Sequence, residues 1–102
     1  MKLLIVTCLK EYQDDVIKIF KKADIHAFSA TQVIGYKDNN PPDLIENWFA
    51  SGDELFDSLM IFSITAAENA EHGMNGIKIF NKETKTNFPV RVFIVPVERS
   101  SI

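Results

Sequence analysis

Three observations predict an α+β sandwich of the ferredoxin-like type, with a four-stranded antiparallel sheet and two helices on one face. First, β-branched apolar runs and amphipathic stretches follow one another in the order β-α-β-β-α-β. Second, each helix-like stretch separates two strand-like runs, which is what two interlocking right-handed βαβ crossovers require. Third, the chain has 102 residues, of which 46% are hydrophobic and 25% charged. That is an ordinary globular composition with room for one domain, here residues 1–102.

Each element has its own signal. Lys2–Leu9, KLLIVTCL, is a near-continuous apolar run and reads as a strand buried on both faces. In Glu11–Ala23, Tyr12, Val16, Phe20 and Ala23 recur at helical spacing, widened by Ile17 and Ile19. Asp14 and Asp15 lie near its start and Lys21 and Lys22 at its end, an order that complements the helix dipole. Ala27–Lys37 alternates Phe28, Ala30, Gln32 and Ile34 with Ser29, Thr31, Val33 and Gly35, and reads as a strand with one less apolar face. Glu54–Ile64 reads as another buried strand. In Thr65–Asn81, Ala67, Ala70, Met74, Ile77 and Phe80 form one helical stripe. Gly73 and Gly76 each weaken that helix by roughly 1 kcal/mol relative to alanine, so close packing of its backbone is expected. Phe88–Glu98 is the last strand, and Pro89 and Pro96 mark its ends or a sheet edge. An apolar first strand needs cover on the sheet face away from the helices, so association through that face is expected.

Charge and composition narrow the function classes. A net charge of −3 and a pI near 5.3 leave no basic stripe for nucleic acid. Cys8 is the lone cysteine, so no intrachain disulfide is expected, and a buried cysteine of this kind is a small hydrophobe. No signal pattern or membrane-length apolar run stands out, and a cytoplasmic location is expected. The acids Asp14, Asp15, Asp38, Asp43, Asp53 and Asp57 read as a solvated surface, and no Walker or Rossmann pattern occurs. No catalysis is expected. His72 and Met74 stand two apart and His26 lies in a loop, so no metal-ligand pair at helical spacing exists, although an assembly can bring copies of one histidine together.

The connection after the second strand is unusually long. A hairpin normally turns in two to five residues, yet VIGYKDNNPPDLIENWFASGDEL intervenes here. Pro41 and Pro42 restrict it, and PPDLIENWFA suits a short helix beginning near Pro42. Trp48 and Phe49 are large apolar anchors for a partner or for the domain itself.

The order of elements, the DDV of the first helix, the VIGY step and the closing VFIVPVE together resemble the PII signalling proteins over nearly the whole chain. The resemblance implies a homotrimer whose T-loop, here about residues 37–53, docks onto a regulated partner such as a membrane transporter. It also implies intersubunit clefts for a small ligand. Gly35, Lys37 and Arg91 would line the cleft, and Lys37, Trp48 and Phe49 would meet the partner. The sequence departs from the family where the phosphates would rest. The glycine-rich loop is replaced by NKETKTNFPVR, in which only Arg91 matches a family basic position. The basic C-terminal segment is missing apart from Arg99, and Ser51 stands where some members carry a modified tyrosine. Tyr36 at the loop base is expected to pack. With Lys37 and Arg91 both cationic, an anionic effector is the expected ligand, and the resemblance fixes no cofactor. The alternative is a CutA-like trimeric metal-binding or metal-tolerance protein, which would rest on His26, His72 or Cys8. A ferredoxin-like module pairing with another chain through its open face is a third reading.

Overall fold

The computed structural model describes residues 1–34 and 57–101. Lys2–Leu9 forms β1, Lys10–Tyr12 a 3-10 turn, and Gln13–Lys22 forms α1. Ser29–Ile34 forms β2, Asp57–Thr65 β3, Ala67–Thr84 α2 and Arg91–Pro96 β4. The sheet runs β2-β3-β1-β4, with every neighbouring pair antiparallel. Each helix therefore links two parallel strands across an antiparallel one, and the ferredoxin-like fold expected from the sequence is the fold observed.

Strand alternation assigns the two faces. Leu4, Val6 and Cys8 lie in register with Ser63, Ile61 and Leu59. This face is buried beneath Val16 and Phe20 of α1 and Ala70 and Ile77 of α2. Fully burying each large aliphatic or aromatic side chain here contributes about 1.5–3 kcal/mol. Phe20 and Phe28 meet edge to face at 5.4 Å. Ser63, the polar member of the row, donates its hydroxyl to the Ala27 carbonyl at 2.6 Å. The expected close packing of α2 is present. A Cβ on Gly76 would stand 2.6 Å from Ile19 Cγ2, and one on Gly73 would stand 3.1 Å from Leu4 Cδ2.

The element ends differ from expectation for local reasons. α1 begins after the 3-10 turn, in which the Gln13 N–H donates to the Lys10 carbonyl. Tyr12 is thereby free to turn its ring edge to Phe80 at 5.5 Å and to donate its hydroxyl to Thr86 Oγ1 at 2.8 Å. α1 closes with Ile25 N–H on the Phe20 carbonyl and Asp24 N–H on that of Lys21, with Asp24 left-handed at φ 66°. That is a Schellman ending with aspartate in the usual glycine place. Ala67, expected in the buried stripe of α2, is exposed in its first turn. α2 runs on to Thr84 and stops where Lys85 turns left-handed at φ 51°. β4 starts at Arg91 instead of Phe88, because side chains take the backbone donors ahead of it.

The sheet face away from the helices carries Leu3, Ile5, Met60, Phe62 and Ile64, which line a shallow apolar hollow. Leu3 and Ile5 are only half-buried and Ile64 is 60% exposed. The expected burial of β1 on both faces is thus complete only on the helix side within the described residues.

Candidate functional site

One end of the sheet gathers the polar groups. β2 ends and β3 begins there, with Ile34 paired to Asp57, and residues 35–56 join the two strands. At the same end Leu9 closes β1 opposite Ser58, and Arg91 opens β4 opposite Thr7. Alternation puts Arg91, Thr7 and Ser58 on the face away from the helices. Arg91 is half-buried, while Thr7 is 0% and Ser58 1% exposed. The Ser58 hydroxyl is buried without a hydrogen-bond partner among the described residues. A guanidinium with hydroxyl groups on the same face is a donor set suited to an anion. Sequence reasoning singled out Arg91 but missed Thr7 and Ser58. Their signal was a hydroxyl inside an otherwise apolar strand run.

Of the other predicted site residues, Gly35, Lys37, Trp48 and Phe49 lie outside the described residues, as do Tyr36 and Ser51. β2 and β4 are the two edges of the sheet. Ile34 and Arg91 are therefore three strand spacings apart across the sheet, about 14 Å. Arg91 is level with Met60 while Ile34 is level with Asp57, so the offset along the strands brings their separation to about 17 Å. A ligand held by Arg91 and by the start of the 35–56 connection has to span that distance or sit where the β4 edge of one copy meets the β2 edge of another.

The segment before Arg91 is tied down by its own side chains. The Phe88 N–H donates to Thr86 Oγ1 at 3.0 Å. The Val90 N–H donates to Asn81 Oδ1 at 2.9 Å, and Asn81 Nδ2 donates back to the Val90 carbonyl at 2.8 Å. A phosphate-cradling loop needs free, convergent backbone N–H groups. Here those of Phe88 and Val90 are occupied, and Pro89 has none. Arg99, after β4, is exposed.

The candidate metal ligands are placed apart in kind. Cys8 is in the core, and burial pushes its thiol up to about 11. His26 Nε2 lies 2.8 Å from Asp24 Oδ1, both exposed, and His72 is exposed on α2. No group of three His, Cys, Asp or Glu side chains among the described residues is placed to hold a metal ion. No helix among them is long and apolar enough to cross a membrane.

No family model matches the chain, and no curated protein matches it. Among solved structures it is similar to a DUF3240 family protein from Shewanella baltica OS155. The identity is 14% and the TM-score 0.67, over 99% of this chain and 93% of that one. At that identity the likeness shows the fold alone.

Proposed function

We propose that the chain is a PII-like regulatory protein, a cytoplasmic homotrimer that takes a small anion at intersubunit clefts. It would modulate a partner, such as a membrane transporter, through residues 37–53, and would carry no catalysis of its own. The observation that supports this reading best is the position of Arg91. It stands on the face shared with Thr7 and the unsatisfied Ser58 hydroxyl, at the sheet end where the long connection begins. Gly35 and Lys37 complete the cleft from a neighbouring copy, and Lys37, Trp48 and Phe49 contact the partner. The anion is not held on a phosphate loop, since the backbone donors of Phe88 and Val90 are spent on Thr86 and Asn81.

Calorimetric titration with ATP, ADP, cyclic AMP and bicarbonate tests the reading, with the oligomeric state fixed by light scattering. Saturable binding of one of these anions to a trimer is expected. The reading fails if a structure of the assembly puts Lys37 and Arg91 more than about 15 Å apart across every interface, beyond charge-assisted contact with one small anion. The CutA-like alternative finds less support. Cys8 is sealed beneath the helices, which leaves His26 and His72 to meet between copies.

A further inference from the structure

The outer surface of the helix layer carries a second feature, independent of the anion site. α1 and α2 run antiparallel, with Tyr12 against Phe80, Ile19 against Gly76 and Ile25 against Gly73. Between them lies a groove of about 560 Å³, floored by Ile19 and Phe80. Its charges are segregated along its length. Asp15, in the first turn of α1, and Glu83, in the last turn of α2, share one end. Lys21 and Lys22 hold the other end, with Lys18 between. From Asp15 to Lys22 the helix rises about 10 Å.

None of these side chains makes an ion pair with another described residue. Glu83 stands at the negative end of the α2 dipole, and with Asp15 it makes this the acidic end of the groove. Ile79 lines the groove at 57% exposure. It follows Gly76 by one turn and precedes Phe80, which places it between the levels of Ile19 and Tyr12, inside the span of the charges. Among the described residues it is the large aliphatic side chain most exposed on either helix.

A groove acidic at one end and basic from Lys18 to the other, with Ile19, Ile79 and Phe80 along it, is complementary to itself after a half-turn. We propose that it is a two-fold contact between copies of this chain. Asp15 and Glu83 of each copy face Lys21 and Lys22 of the other, with the two Ile79 side chains at the centre. In such an isologous interface the same patch serves both partners. The contact uses the helix layer, so it stands or falls separately from association through the open sheet face or the anion clefts. Being charge-led and narrow, it weakens as salt is added.

Sedimentation velocity on the full chain tests it with two charge variants, Lys21→Glu/Lys22→Glu and Asp15→Lys/Glu83→Lys. Lys21, Lys22 and Glu83 are exposed and Asp15 is half-buried, and circular dichroism checks that the fold is kept. At low salt the unaltered chain is expected to associate at least about ten-fold more tightly than either variant alone, because each variant sets like charges face to face. An equimolar mixture of the two variants is expected to recover that association, and Ile79→Lys in both is expected to remove it again. Association through the sheet face is common to all of these proteins and cancels in the comparison. Equal masses for the unaltered chain and both variants at every concentration would overturn the proposal, as would a mixture that stays apart. Mixed association that survives Ile79→Lys would also overturn it, by assigning the attraction to net charge alone. If a foreign amphipathic helix is the true occupant, the first of these outcomes will be seen.

Discussion

At the scale of single residues, two positions show how burial and close approach set behaviour. Cys8 lies among Leu4, Val6 and Ile61 in the core, and loss of water pushes its thiol from 9.0 to about 11. The folded value is the raised one. Its contribution to stability is therefore complete below about pH 9 and is lost progressively from there to pH 11, as the unfolded chain releases the proton first. Urea unfolding at pH 8 and pH 10.5 should show a loss of about 2 kcal/mol from this group. The Cys8→Ala variant should lack that part of the slope. In the folded protein at pH 8, a maleimide should label Cys8 at least about a hundred-fold more slowly than in the unfolded chain. Gly76 is the second case. Alanine in a helix interior normally gains about 1 kcal/mol over glycine, but here its Cβ would press on the stiff branched methyl of Ile19. Overpacking of that kind costs about 1–3 kcal/mol. Gly76→Ala is thus expected to lower the denaturation midpoint, and to raise it when Ile19→Ala has opened the space. Gly73→Ala should be milder, because its neighbours are the movable ends of Leu4 and Ile25.

At the scale of elements, the segment between α2 and β4 carries more of the account than any helix or strand. Asn81 grips both backbone groups of Val90, which is 2% exposed. Asn81→Ala leaves a buried donor and acceptor unmatched and should cost about 2–4 kcal/mol in chemical denaturation. Thr86→Val, which removes the acceptor for Tyr12 and Phe88, should cost about 1–2 kcal/mol. These bonds also explain what the sequence did and did not make legible. The strands and the core faces of both helices were legible because periodicity follows directly from backbone geometry: Val16, Phe20, Ala70 and Ile77 stand where the stripes put them. The ends were not. α1 starts after a 3-10 turn that lets Tyr12 reach Thr86, β4 starts late because Asn81 holds Val90, and both contacts join residues that the sequence does not show to be neighbours. Of the candidate site, the sequence pointed to Arg91. Thr7 and Ser58 came to light only with the register of β1 against β3 and β4. The charged groove was hidden for the same reason, since the antiparallel packing of the helices is what brings Glu83 and Asp15 to one groove.

At the scale of the whole molecule, the unfinished surface is the apolar sheet face. Ile64 at 60% exposure and Val95 at 38% stand beside Leu3, Ile5 and Phe62. Ile64→Lys costs little in a lone chain because the position is already wet. If copies meet through this face, the variant should sediment as a smaller species while keeping its circular dichroism spectrum. The central claim is that this scaffold holds an anion at Arg91, at the sheet end where the long connection begins. The most direct measurement is calorimetric titration of the assembled protein and of its Arg91→Ala variant with the anion that binds best among ATP, ADP, cyclic AMP and bicarbonate. The account predicts saturable binding that Arg91→Ala weakens by about ten- to a hundred-fold, the worth of one charge-assisted contact. Ser58→Ala should weaken it less. No binding by any of these anions, or equal binding by the Arg91→Ala variant, would contradict the account.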